Sequence, residues 1–134
     1  MKVVDTSVAV AAALPWHEAH RAALPAVRGK TPLLGQVAIE TYSVLTRLPP
    51  PQRVPPPLAH AYLTETFTLP PIVLPKTDYE PLIALAAAER IAGGAVYDAF
   101  VAATARGAGA TLLTLDRRAV PTYQLLGLEY ELLS

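Results

Sequence analysis

Short apolar runs alternate with longer amphipathic runs along the chain, and this alternation predicts a parallel sheet covered by helices. Five apolar runs have the length and composition of strands, at residues 3–4, 31–34, 72–74, 111–115 and 128–133. Segments typical of helices lie between them, at 8–14, 17–26, 36–48, 58–67, 77–92 and 95–106. Because helices connect most successive strands, we expect a parallel sheet with helices on both faces.

Two of these strands end in a carboxylate. Val3 and Val4 favour a buried strand, Asp5 follows them, and the alanine-rich run beyond Ser7 favours a helix. Asp116 holds the equivalent position after the strand at 111–115. Ligands of open α/β sheets bind outside the carboxyl ends of the strands, so both acids are candidate site residues.

Two further acids lie on predicted helices. Glu40 falls within the apolar stripe of helix 36–48, three residues after Val37 and four before Val44. A carboxylate that faces the core is costly unless it is paired or binds a metal. Asp98 is the one acid of segment 95–106, which is apolar nearly all round and therefore predicts a buried helix.

A proline-rich segment at residues 49–57 contains six of the fourteen prolines. We expect it to be extended, close to polyproline II, because proline fixes the backbone and removes donors. Its main interpretation is a stiff surface connector; the alternative is a PxxP ligand for an SH3-like domain.

Composition narrows the class of protein. With 134 residues, we expect one domain, and the 52% hydrophobic content suits a sheet buried on both faces, with an apolar partner surface besides. The absence of cysteine excludes disulfides and thiolate metal sites. No apolar run is long enough to span a bilayer and no secretory cleavage pattern is seen, so we expect a cytoplasmic protein with no membrane association.

Net charge neither supports nor excludes a nucleic-acid partner. The formal charge is zero, with eleven basic and eleven acidic residues. If four acids form one metal site, the rest of the surface is net positive.

Four carboxylates gathered at one sheet edge would repel one another and require a cation. Oxygen ligands select hard ions such as Mg²⁺ or Mn²⁺, which support phosphoryl chemistry. Each acid also has a simpler interpretation: Asp5 as a helix cap, Asp98 as a complement to the helix dipole, Asp116 as a turn residue, Glu40 as a rim residue. All four occur where one site could form, which favours the joint interpretation.

Four sequence pieces make the chain resemble a PIN domain of the VapC type, the ribonuclease component of bacterial toxin–antitoxin pairs. They are Val-Val-Asp5-Thr-Ser, Ile-Glu40-x₄-Leu-x-Arg47, Tyr-Asp98-Ala-x-x-Ala-Ala-x-Ala and Leu-Leu-Thr114-Leu-Asp116. The pieces occur in the family's order and together span essentially the whole chain. Segment 49–57 lies outside the family pattern. The resemblance implies one PIN-like domain over residues 1–134, a three-layer α/β/α sandwich with a mainly parallel sheet of four to five strands.

The same resemblance implies the chemistry. Asp5, Glu40, Asp98 and Asp116 would hold Mg²⁺ or Mn²⁺, with Asp5 and Asp98 as principal ligands, and water would attack an RNA phosphodiester. The hydroxyls of Thr6 or Ser7 and of Thr114 would support the ligands or contact phosphate. The implied partners are a second copy of the chain and a small antitoxin protein that covers the site.

Two other functions remain open on the residues alone. A phosphotransfer domain would use Asp5 as a nucleophile, although no lysine follows the late strand to hold a phosphoryl group. A catalytically inactive PIN-like module could bind RNA or protein. The histidines His17, His20 and His60 are expected to be solvated, because they have no acidic partners at ligand spacing.

Overall fold

A small parallel sheet places two of the predicted site acids, Asp5 and Asp116, after the ends of its strands. The computed structural model describes residues 1–134 and contains three strands and seven α-helices. The strands are β1 (Lys2–Val4), β2 (Thr111–Thr114) and β3 (Tyr130–Leu132). The helices are α1 (Thr6–Ala13), α2 (His20–Val27), α3 (Gly35–Thr46), α4 (Pro56–Thr66), α5 (Tyr79–Ala88), α6 (Ala95–Gly107) and α7 (Val120–Leu125), and a 3₁₀ turn (Lys76–Asp78) precedes α5.

The strands lie in the order β1-β2-β3 and both pairs are parallel, which confirms the predicted parallel sheet. Val3 lies opposite Leu112, and Leu113 lies opposite Glu131. Val3, Val4 and Leu112 are completely buried. Since the three strands run the same way, Asp5 and Asp116 leave the sheet at one edge.

The predicted four to five strands are wrong, since the sheet contains three. The runs at 31–34 and 72–74 meet only at one isolated parallel bridge, between Leu34 and Ile72. Four prolines flank this bridge: Pro32, Pro70, Pro71 and Pro75. A proline has no N–H to donate, so the two segments cannot extend a ladder although Leu34 is fully buried.

The main helix contacts fall into two groups. Helix α1 packs against α2 and α3, and α3 packs against α4, whereas α6 packs against α5 and α7. Helix α6 has Ala99, Ala102 and Ala105 completely buried, which confirms the predicted buried helix. None of the helices combines the length and the apolar composition that crossing a bilayer requires.

The prediction that Glu40 faces the core is wrong. The buried residues of α3 are Val37, Thr41 and Leu45, which recur every four residues. At 3.6 residues per turn, Glu40 lies about 100° around the helix from the centre of that stripe. Its side chain is therefore exposed, beside the stripe instead of within it.

The predicted extended form of segment 49–57 is also wrong. A turn occupies residues 50–52, closed by the Gln52 N–H, which donates to the Pro49 carbonyl over 2.9 Å. Pro56 and Pro57 then begin α4. The first turn of a helix tolerates proline, because its N–H groups have no intrahelical partner there.

Candidate active site

The four predicted acids line one small cleft of about 40 Å³ at the carboxyl edge of the sheet. Asp5 directly follows β1, Asp116 lies two residues beyond β2, Asp98 lies in the first turn of α6, and Glu40 lies in the second turn of α3. Four separate elements thus bring one carboxylate each. The other lining residues are Thr6, Ser7, Tyr97, Val101 and Tyr123.

Asp5 is the buried member of this group, with 4% of its surface exposed. Its backbone N–H donates to the Leu113 carbonyl of β2 over 3.1 Å, and its side chain caps α1. Oδ1 accepts hydrogen bonds from the Ser7 hydroxyl and from the Val8 N–H, the latter at 3.3 Å. Oδ2 accepts a hydrogen bond from the Tyr123 hydroxyl at 3.0 Å. Donors therefore hold both oxygens.

Burial raises the pKa of the Asp5 carboxyl above its ordinary value, because the charged form loses hydration. The hydroxyls of Ser7, Thr114 and Tyr123 and the Val8 N–H oppose this by stabilising the carboxylate, but the net direction is upward. A nearby cation would favour the charged form instead.

Two hydroxyl residues hold the backbone at the ends of β1 and β2. The Ser7 hydroxyl donates to Asp5 and accepts a hydrogen bond from the Leu115 N–H at 2.9 Å. Thr114 is completely buried and does not line the cleft; its Oγ1 accepts a hydrogen bond from the Asp116 N–H at 3.0 Å. Each hydroxyl therefore fixes the backbone beside an acid.

Asp98 is half-buried and its pKa is also raised. Loss of hydration is the main cause. The Arg118 guanidinium opposes it, while the charges of Asp116, Asp5 and Glu40 add to it. The acids of the cleft therefore interact electrostatically, as a shared site requires.

Asp116 is paired with a cation of its own loop. Its Oδ1 accepts a hydrogen bond from the Arg118 N–H at 3.0 Å, and its Oδ2 lies 3.2 Å from Nη2 of the same residue. The Arg118 side chain is 76% exposed. An exposed pair of this kind contributes little to stability and can open when a ligand enters.

The donor set fits a hard divalent cation. The cleft offers carboxylate and hydroxyl oxygens, and no lysine or histidine lines it. No three acidic or histidine side chains are already spaced as a metal site. Glu40 is exposed and Asp116 is held by Arg118, so these two side chains would have to turn inward to complete a ligand set.

The histidines have no part in this cleft. His17 and His20 are not simply solvated as predicted: Nδ1 of His17 accepts a hydrogen bond from the Ala19 N–H, and Nδ1 of His20 lies 2.9 Å from the Ala11 carbonyl oxygen. His60 is exposed.

The sequence did not predict that two tyrosines, Tyr97 and Tyr123, line the cleft. Residues 117–126 predict a loop that could contain one turn of helix; Tyr123 lies on the short helix α7 there and is only 2% exposed. Tyr97, immediately before Asp98, is 66% exposed on the rim. The only indication available for Tyr123 was a general one: a tyrosine that is buried needs a hydrogen-bond partner for its hydroxyl.

The comparison with protein families decides where this site belongs. A family model described as the PIN domain matches residues 2–123. The chain belongs to the PIN-domain family. Ribonuclease VapC40 of Mycobacterium tuberculosis is 48% identical over 130 residues, which cover 97% of both chains. Ribonuclease VapC27 of the same organism is 43% identical over 125 residues, which cover 92% of this chain and 90% of the relative. The predicted resemblance to VapC-type PIN domains is confirmed.

Two solved structures share the fold at low sequence identity. The crystal structure of FitAcB from Neisseria gonorrhoeae has a TM-score of 0.68 at 17% identity, covering 97% of this chain and 96% of that one. The structure of FitAB bound to an IR36 DNA fragment also has a TM-score of 0.68, at 18% identity, covering 98% and 94%. The fold extends over nearly the whole chain.

Proposed function

We propose that this PIN domain is a metal-dependent endoribonuclease that hydrolyses RNA phosphodiesters, and that it is the toxic component of a VapBC-type toxin–antitoxin pair. One observation carries the proposal: four carboxylates from four elements line a single cleft in a chain 48% identical to a protein named as a ribonuclease. In this proposal Asp5, Glu40, Asp98 and Asp116 are the catalytic and metal-holding residues. An enzyme of this kind would meet its RNA substrate in the cytoplasm.

The metal would be held by the carboxylate oxygens, with Asp5 and Asp98 as principal ligands. When bound, Mg²⁺ or Mn²⁺ supplies an activated water and charge neutralisation for the phosphodiester. The protein contributes a fixed Asp5, whose oxygens are held by Ser7 and Tyr123. Because the pKa of Asp98 is raised, protons compete with the metal for this carboxylate more strongly than for an ordinary aspartate.

Other residues of the cleft are suited to the substrate. Arg118 is exposed beside Asp116, and its guanidinium can exchange that carboxylate for a phosphate of similar geometry. Thr6 lines the cleft and offers a hydroxyl to a phosphate oxygen, while Ser7 and Thr114 are committed to the backbone and the ligands. A neighbouring depression of about 390 Å³ shares Thr6 and Asp116 with the cleft and gives an RNA strand a path.

A second copy and an antitoxin are the proposed protein partners. An apolar groove of about 420 Å³ adjoins the cleft and shares Glu40 and Tyr97 with it. Ile39 and Tyr97 are largely exposed there, and exposed apolar patches of this kind are typical of interaction surfaces. An antitoxin segment in this groove would cover the acids.

The alternative is a PIN module that binds RNA or protein without cleaving it, and RNA cleavage by purified protein separates the two. We expect Asp5→Asn and Asp98→Asn each to lose at least about 100-fold in rate, because metal-bound charge stabilisation contributes several kcal/mol. Asp78→Asn is the matched control, since Asp78 is exposed and lies outside the cleft.

The cleavage ends give an independent readout. Attack by water leaves a 5′-phosphate and a 3′-hydroxyl, whereas attack by the RNA 2′-hydroxyl leaves a 2′,3′-cyclic phosphate. Cyclic ends would reject the mechanism. Full activity of Asp98→Asn in protein free of other nucleases would reject the site, and a wild type that binds RNA without cutting it would favour the inactive module.

A further inference from the structure

Tyr123 reaches the Asp5 carboxylate from the far end of the sequence, across a separation of 118 residues. It lies on α7 and is among the largest fully buried side chains of the molecule. Its carbonyl accepts a hydrogen bond from the Leu128 N–H at 3.1 Å, and its N–H donates to the Ala119 carbonyl at 3.1 Å. The ring is thus held at both its backbone and its hydroxyl.

The hydrogen bonds on Asp5 are unequally divided between its two oxygens. A carboxylate has about four lone-pair sites, two on each oxygen. The Ser7 hydroxyl and the Val8 N–H both bind Oδ1, so that oxygen has no site left. Tyr123 binds Oδ2, the oxygen that retains a free site. Rotation about the last torsion of an aspartate is otherwise broad and roughly two-fold.

We infer that Tyr123 is a positioning residue for the metal ligand Asp5: it fixes the carboxylate plane, and Oδ2 keeps the lone pair that a cation would take. This inference rests on the proposed function, because it concerns the same cleft. It assigns a role to α7, an element that supplies none of the four acids.

Tyr62 shows what a purely structural tyrosine looks like in this protein. Its hydroxyl is also removed from solvent, but it donates to the Ala9 carbonyl of α1 over 2.7 Å and touches no carboxylate. Each of the two tyrosines loses one oxygen atom and one hydrogen bond when replaced by phenylalanine. Tyr62→Phe is therefore the matched control for Tyr123→Phe.

Calorimetric titration with Mn²⁺ tests the inference without relying on catalysis. For Tyr123→Phe we expect the Kd for Mn²⁺ to rise about 10–100-fold, the usual effect of losing a residue that orients a metal ligand. The Mn²⁺ concentration for half-maximal cleavage should rise by the same factor, and saturating Mn²⁺ should restore most of kcat. Tyr62→Phe should keep the wild-type Kd, even though both variants melt lower in EDTA.

The outcomes distinguish this inference from the proposed function. If Tyr123→Phe melts lower in EDTA but keeps the wild-type Kd for Mn²⁺, Tyr123 is structural only and the inference is overturned. If the wild type itself fails to bind Mn²⁺, the proposed function falls and takes the inference with it. Asp5→Asn, measured in parallel, should abolish Mn²⁺ binding.

A second measurement applies if Tyr123→Phe does not unfold cooperatively. Mn²⁺ on Oδ2 would polarise the Tyr123 hydroxyl and give a tyrosine difference absorption in the wild type. A signal that persists in Tyr62→Phe and Tyr97→Phe supports the inference. A wild type that binds Mn²⁺ with no tyrosine signal overturns it.

Discussion

The acids of the cleft differ most in how deeply each is buried. Asp5 is almost fully buried and held by three donors, Asp98 is half-buried, and Glu40 is exposed. Asp5 and Asp98 have a raised pKa, and loss of hydration is the main cause for both. The site therefore combines two poorly hydrated carboxyl groups, those of Asp5 and Asp98, with two whose side chains can still reorient.

Asp98 should weaken the metal-free fold at neutral pH. Its folded-state pKa lies above the ordinary value of 3.8, so the folded state binds more protons than the unfolded state between these two values. Stability contributed by this group is complete below 3.8 and falls as pH rises through the raised pKa. In EDTA at about pH 7.5, Asp98→Asn should melt higher than wild type, and this difference should shrink as pH falls.

Added metal should reverse the order of the two melting temperatures. An ion bound only to the folded form adds RT ln(1 + [M]/Kd) to the free energy of unfolding, so Mn²⁺ should raise the Tm of wild type more than that of Asp98→Asn. Thermal melts with and without Mn²⁺ measure both effects, with Asp78→Asn as control. If wild type and Asp98→Asn melt alike in EDTA and Mn²⁺ shifts neither, these acids do not share a metal site.

At this scale, the sequence predicted which acids would meet but not what holds them. Asp5 and Asp116 could be predicted because each follows an apolar run, and the carboxyl ends of parallel strands share an edge. Glu40 was assigned to the right region for a wrong reason, since it lies outside the core. Tyr123 could not be predicted as a partner of Asp5, because 118 residues separate them and no local pattern encodes that contact.

At the scale of elements, one hydrogen-bonded side chain links α3 to α6 beside the cleft. Gln36 of α3 donates from Nε2 to Thr104 Oγ1 over 2.7 Å and to the Phe100 carbonyl over 3.2 Å. Glu40 lies one turn beyond Gln36, and Asp98 lies two residues before Phe100. One amide therefore joins the two helices that carry these acids.

We expect Gln36→Leu to lower both stability and activity. The leucine has a similar volume but leaves the two hydrogen bonds unmade, which costs about 1–2 kcal/mol and lowers the Tm by roughly 4–8 °C. The rate of RNA cleavage should fall further than stability alone explains, because α3 and α6 can then separate. Gln52→Leu, at an exposed turn, is the control and should change neither quantity. A stable, fully active Gln36→Leu would show that this contact does not set the cleft.

Helices were easier to predict than strands in this chain, and proline is the reason. The runs at 31–34 and 72–74 are apolar enough for strands, and Leu34 is fully buried, but the prolines around them leave too few N–H groups for a ladder. The run at 111–115 has no proline, and its first four residues form β2. Apolar content alone therefore does not decide whether a segment joins the sheet; the N–H groups available for hydrogen bonding do.

At the scale of the whole molecule, much apolar surface is left uncovered. Ile39, Val73, Ile83 and Tyr97 are each more than 60% exposed. An apolar surface of this extent is typical of proteins that pair, and two-fold dimers are the commonest solution. We expect a dimer in light scattering over a wide concentration range, with lower association for Ile83→Lys. A wild type that stays monomeric at high concentration would assign this surface to another partner.

The sequence cannot show which strand lies beside which, because that depends on contacts between distant segments. The order β1-β2-β3 skips the two apolar runs between β1 and β2. The family resemblance predicted the PIN-like fold, and the alternation of strands and helices along the chain predicted that the sheet is parallel. The count of strands came only from the structure.

The pairing of β1 with β2 also sets the time at which the protein becomes active during its own synthesis. The hydrogen bonds that complete Ser7 and Asp5 come from Leu115 and Tyr123, across 108 and 118 residues. A chain still growing on the ribosome has made Asp5 early but lacks the distant partners Leu113, Leu115 and Tyr123, and such non-local contacts form late in folding. A fragment ending at residue 110 should therefore neither bind Mn²⁺ nor cut RNA; activity in that fragment would contradict this order. Unfinished copies of the nuclease would then be harmless to the messenger from which they are translated.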